Sequence, residues 1–174
     1  GQVRMLFDFL HRKEHKAGQP PGSLLYVGPD KDFSPQVELV SYDASGVQAE
    51  RLERPDDCPD VEDGRVRWLR VRGVHDPAVV KAVGETFGMH PLALEDVLNT
   101  THRPKAEWYD NALFTIFKLT SYDDATGVMV QSQASCFWMH NVVLTFQEDR
   151  EDIFSPLMSR LRNPKSRLRR HGAD

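Results

Sequence analysis

Cysteine is scarce in this sequence. Cys58 and Cys136 are the only two among 174 residues, and they stand far apart. That usage excludes a disulfide framework and fits a reducing, cytosolic setting. Cys136 sits in an apolar run and reads as a small buried hydrophobe. Long apolar runs are missing too. The longest, such as Cys136-Phe137-Trp138-Met139, reach three or four residues, against the roughly 18–20 that a membrane-spanning helix needs. Met5-Leu6-Phe7 and Phe9-Leu10 are split by Asp8 and followed at once by His11-Arg12-Lys13-Glu14-His15, which excludes a secretory signal. No phosphate-binding loop, dinucleotide fingerprint or nucleophile elbow occurs. No nucleophile stands at a recognisable spacing from a base, so an enzyme is not expected.

What is present is the composition of one globular domain, 40% hydrophobic and 28% charged, long enough to bury a core. The net charge of −4 is unevenly spread. Residues 160–170 hold six basic side chains and no acid, leaving 16 basic against 26 acidic residues elsewhere, a net −10. Six cations in one stretch suggest phosphate binding, but no aromatic residue is interleaved to stack on bases. A solvated helix face is the simpler reading, and no nucleic acid partner is expected.

Residues 1–18 read as a loosely held tail, and residues 19–174 as the domain. Leu24-Leu25-Tyr26-Val27, closed by Gly28-Pro29, suggests a first strand. Val37 to Tyr42 alternates as a strand, with a turn from Asp43 to Gly46. Residues 53–64 are acidic and proline-punctuated, without the ligand spacing of a calcium loop. Val66 to Val71 alternates again. Asp76-Pro77 opens a helix through Val80, Val83 and Phe87, which Gly88 ends. A second helix starts at Pro91 with Leu94, Val97 and Leu98 as its inner stripe, and His90 before it as a cap or packing residue. Strands follow over residues 113–119, 135–139 and 142–146, the last two joined by His140-Asn141, where Asn141 suits a positive φ. Ser155-Pro156 opens a helix stopped by Pro164, and Ser166 starts a further helix that runs off the end. Hairpins mixed with helical crossovers predict an α/β fold, a mixed β-sheet sandwiched between helices.

Two groups of residues invite a metal. Glu95 and Asp96 adjoin on the second helix; neighbours on a helix point about 100° apart, so by themselves they read as two solvated surface acids. His11-Arg12-Lys13-Glu14-His15 fits the H-x-x-E-H zinc pattern, but lies in a polar tail without a third ligand. A soluble zinc hydrolase using His11, Glu14 and His15 is the alternative of another class.

The run Gly88-Met89-His90-Pro91-Leu92-Ala93-Leu94-Glu95-Asp96 is similar to the CorA pattern of glycine, hydrophobe, His-Pro-Leu, hydrophobe, Leu-Glu-Asp. Arg103-Pro104-Lys105-Ala106-Glu107, Phe146-Gln147-Glu148 and Arg170-His171-Gly172-Ala173-Asp174 match later stretches in the same order, and Pro20-Pro21-Gly22-Ser23-Leu24-Leu25-Tyr26 matches the family's opening. The chain thus resembles the cytoplasmic domain of a CorA family magnesium and divalent-cation transporter. The resemblance implies an α/β/α domain of a homopentameric Mg²⁺ channel at the cytoplasmic side of the inner membrane. Its stalk helix and membrane part, with the Gly-Met-Asn selectivity motif, are expected beyond Asp174. It also implies a weak regulatory Mg²⁺ site between subunits, for which Co²⁺ can substitute. Asp96 would be its principal ligand and Glu95 a supporting one, facing a carboxylate on the neighbour's stalk. A zinc transporter of the ZntB type shares this architecture and is the alternative within the superfamily.

Overall fold

The computed structural model describes residues 24–59 and 64–170. The tail, the His11/Glu14/His15 group, the 20–23 part of the opening stretch and residues 171–174 lie outside the described residues. Seven strands form one sheet: β1 (Gln36–Tyr42), β2 (Val47–Leu52), β3 (Val66–Arg72), β4 (Lys105–Tyr109), β5 (Ala112–Asp123), β6 (Val128–Met139) and β7 (Val142–Gln147). Their spatial order is β2-β1-β3-β7-β6-β5-β4. β3 and β7 are parallel, with Leu69 opposite Leu144 and Val71 opposite Phe146. The other five pairs are antiparallel. The sheet is therefore mixed, as the sequence pattern predicts.

Among the described residues three α-helices cover it: α1 (Pro77–Phe87), α2 (Pro91–Leu98) and α3 (Ser155–Arg162). Period-two alternation sends Val37, Leu39, Leu69 and Val71 to one face, where they pack with Val80 and Val83 of α1 and Leu94, Val97 and Leu98 of α2. Val40, Tyr42, Val66 and Trp68 face the other way, onto Met158 and Leu161 of α3. The result is an α/β/α sandwich. Arg70, 3% exposed, anchors the α3 side by pairing with Glu38 at 2.6 Å and with Asp152, while its guanidinium lies over Trp68.

The helix starts follow local chemistry. The Asp76 carboxylate accepts from the Ala78 N–H, and Gly88 closes α1 at φ 64°. His90 caps α2, its Nδ1 accepting from the Leu92 N–H. Elsewhere the chain departs from the pattern. Residues 24–27 form no strand, only a parallel bridge from Val27 to Asn99. The positive φ of the β6–β7 turn, 41°, falls on His140 and not on Asn141. The stretch after Ser166 makes a short 3₁₀ turn, Arg167–Arg170, in place of an α-helix among the described residues.

Gly84 lets α1 and α2 touch: a Cβ there would collide with the methyl groups of Leu94. Gly84→Ala is expected to cost about 1–3 kcal/mol by overpacking. Combined with Leu94→Ala, its cost should shrink or vanish, measured by urea unfolding of the single and double variants. Burial pushes the Cys136 thiol up to about 11, so at pH 8 a thiol reagent should label it only on unfolding.

Candidate functional site

Helix α2 buries Ala93, Leu94, Val97 and Leu98, which turns Glu95 and Asp96 toward the rim of the domain. Both acids lie in its last turn, at the partially negative end of the helix dipole, and that turn contains no basic residue. A carboxylate there needs positive charge from elsewhere in the chain.

The following segment supplies it from Lys105 and adds a ring N–H from His102. Asn99 Oδ1 accepts from both the N–H and the hydroxyl of Thr101, and the His102 N–H donates to the Asn99 carbonyl. This tight turn brings the His102 ring back over the helix end, with Nε2 2.7 Å from Asp96 Oδ1. A carboxylate only accepts, so Nε2 is the protonated nitrogen. The chain then enters β4, and its first residue, Lys105, places Nζ 2.6 Å from Asp96 Oδ2. Both Asp96 oxygens are thus engaged, and its side chain is only 13% exposed. Asp96 is a nearly buried, doubly paired carboxylate and not the solvated acid that helical spacing alone suggests.

Alternation along β4 sets Lys105, Glu107 and Tyr109 on the face turned to α2, opposite Ile116, Phe114 and Ala112 of β5. The Lys105 ammonium also lies 2.6 Å from Glu107 Oε2, so it sits between two carboxylates. The Tyr109 hydroxyl donates to the same Glu107 oxygen at 3.0 Å, and the Tyr109 ring stacks on His90, centroids 4.9 Å apart. Cap, stack and ion pairs form one continuous array from the start of α2 to its end.

The titrations reflect this array. Partial burial is the strongest influence on Lys105 and alone would lower its pKa, but hydrogen bonds to Asp96 and Glu107 outweigh it and hold the ammonium above the ordinary lysine range. The same bond from Lys105, then that from Tyr109, keeps the Glu107 carboxyl below its ordinary value. Burial first, and the bond to Glu107 second, raise the Tyr109 hydroxyl.

Carboxylate oxygens are the hard donors Mg²⁺ selects, and this ion takes few of them and keeps several waters. Asp96 and Glu95 fit it by donor type. Among the described residues, no group of three or more His, Cys, Asp or Glu gathers to hold a metal. A metal approaching Asp96 would have to contend with the Lys105 ammonium, 2.6 Å from Oδ2. Among the described residues, His75 is engaged elsewhere. His75 Nε2 lies 2.6 Å from the Phe33 carbonyl, and its ring packs against Phe33 and Tyr26. The Asp96 partners stand six and nine residues downstream, spacings that correspond to no helical face. Only the short turn and the strand that follows bring them back.

Among the described residues, no helix is long and apolar enough to cross a membrane. The sequence profile of the family described as CorA-like Mg²⁺ transporter protein matches residues 63–172, which hold α2, the turn and β4. The cobalt/magnesium transport protein CorA of Thermotoga maritima is 35% identical over 168 residues, covering 94% of this chain and 46% of that protein. This chain thus spans about half the length of that relative. Among solved structures, full-length CmaX is similar with a TM-score of 0.62 at 12% identity, over 79% of this chain and 42% of that one. The soluble domain of CorA from Methanocaldococcus jannaschii is similar with a TM-score of 0.54 at 14% identity, over 73% and 48%. These structural likenesses carry the fold, an α/β domain with a mixed sheet. The family profile and the Thermotoga relative carry the kinship: this chain belongs to the CorA-like Mg²⁺ transporter family.

Proposed function

We propose that this chain is the cytoplasmic, Mg²⁺-sensing regulatory domain of a CorA-like divalent-cation channel, joined to a membrane part in the half of the relative's length that it does not span. The full protein acts as a homopentamer at the inner membrane, passing Mg²⁺ or Co²⁺, and the domain binds a regulatory cation without catalysing a reaction. Asp96 is the principal ligand and Glu95 its neighbour, with the remaining oxygens from water and an adjacent subunit. One observation supports this reading above others: Asp96 is a carboxylate in the negative last turn of a helix, held at the domain's rim by the Lys105 ammonium and the His102 ring. Such a group gains from an added cation. Carboxylates gathered across subunits repel, so a cation between them favours the arrangement that closes the gap. Bound Mg²⁺ then holds the channel closed, and its loss frees the subunits to move.

A ligand set of one or two carboxylates gives weak binding, which suits a sensor of an abundant ion. Millimolar Mg²⁺ should stabilise the isolated chain by under about 1 kcal/mol if Kd is also millimolar. Thermal melts with and without Mg²⁺ check this, and Asp96→Asn should remove the increment. A shift implying micromolar affinity, or one that survives Asp96→Asn, would contradict the reading. In the full-length channel, Asp96→Lys should imitate the bound cation and make transport insensitive to Mg²⁺. Unchanged Mg²⁺ sensitivity of gating in that variant would sink the proposal.

A further inference from the structure

The geometry points to Lys105 as a tethered cation that occupies Asp96 in the absence of metal and sets the metal affinity by moving between Asp96 and Glu107. This rests on the reading of Asp96 as a cation ligand and adds to it a second position for the lysine.

Three features of the site carry it. First, the Lys105 ammonium lies at the same 2.6 Å from Asp96 Oδ2 and from Glu107 Oε2, so it already shares its charge between two carboxylates. Releasing one does not strand it in an apolar setting; it keeps the other. Second, the two acids differ in exposure, 13% at Asp96 and 48% at Glu107. Glu107 is the wetter partner, where an ion pair is worth less, and Asp96 the drier one, where uncompensated charge costs more. At rest Lys105 therefore serves Asp96. A divalent ion arriving there brings more charge and takes over that role, and Lys105 shifts wholly to Glu107. Third, Glu107 is fixed for this duty by the Tyr109 hydroxyl, itself anchored by the stack on His90.

Binding is thus an exchange of one cation for another at Asp96, and not the filling of a vacant carboxylate. Exchange lowers affinity, because the metal must displace a partner that is always present at high local concentration. His102 stays on Asp96 Oδ1 and keeps the carboxylate oriented during the swap.

The exchange predicts opposite signs for two neighbouring substitutions, which a merely structural role for the ion pairs does not. Mg²⁺ titrations of the chain, followed through backbone amide NMR shifts of residues 94–97, give Kd for each variant. Lys105→Gln should bind Mg²⁺ roughly three- to tenfold more tightly, the range for a partly screened ion pair. Glu107→Gln should bind roughly two- to fivefold more weakly, because Lys105 then has only Asp96 to serve. Lys105→Arg should stay within about twofold of the parent, since the tethered charge remains. Asp96→Asn should lose saturable binding.

The two ideas fail separately. Saturable binding retained in Asp96→Asn overturns the assignment of Asp96 as ligand. Binding lost in Asp96→Asn, with Lys105→Gln no tighter than the parent, leaves that assignment standing and overturns the exchange. If Lys105→Gln does not fold, Glu107→Gln decides: unchanged or tighter binding there overturns the exchange, and weaker binding supports it.

Discussion

A carboxylate near the C-terminal end of a helix faces two costs together. The negative end of the helix dipole repels it, and packing against the domain removes part of the water that would otherwise screen its charge. Asp96 is in that position, 13% exposed in the final turn of α2. Its pairing with Lys105 and His102 is the constraint around which this edge of the domain is arranged. The turn after Asn99 exists in the form that returns His102, and β4 begins at the residue that carries the ammonium.

The sheet makes that compensation reproducible. β4 is an edge strand whose residues 106–108 are exposed, so its own side chains contribute little apolar burial. Its place comes from antiparallel pairing with β5, which fixes Lys105 opposite Ile116 and Glu107 opposite Phe114. A slip of one residue would turn Lys105 and Glu107 to the far face, away from α2. On the other side, α2 is held by contact through Gly84 and Leu94 and by the Gln133 side-chain amide, which donates to the Asp96 carbonyl. The core thus sets the geometry in which Lys105, shared between the drier Asp96 and the wetter Glu107, can respond to a competing cation. The same logic explains why charge at this site can be responsive while Arg70, on the α3 side, is locked between Glu38 and Asp152 at 3% exposure.

Much of this was legible from residues alone, and the rest failed for identifiable reasons. α1 and α2 are announced by local chemistry: Asp76-Pro77, Gly88 and His90-Pro91 act within a turn of their own positions. β1 and β3 alternate and β7 opens on the apolar run Val142-Val143-Leu144, because one or both of their faces are buried. β2 gives no such pattern, since Gln48, Ala49, Glu50 and Arg51 are exposed and only Leu52 is buried. β4 is silent for the same reason. The apolar run at 24–27 packs Val27 fully, yet it pairs through that residue alone with Asn99, where tertiary position overrides propensity. At His140 the tight turn accepted a residue with a ring where Asn141 stood beside it, a choice that local preference does not predict. Asp96 itself was visible as an acid and, through resemblance to the CorA family, as a proposed ligand. Its pairing was not visible, because sequence spacing cannot report a contact made through a turn and a strand.

The central claim is that Lys105 holds Asp96 and yields it to a cation. The most direct measurement is NMR of the Lys105 ammonium, with its ¹⁵Nζ resonance assigned by the Lys105→Arg variant and followed through a Mg²⁺ titration. The account predicts a protected, slowly exchanging signal without Mg²⁺ that shifts on titration, with the same midpoint as the amide shifts of residues 94–97. An ammonium signal that stays unchanged while those amides saturate would show that the metal binds without displacing Lys105, and would contradict the account.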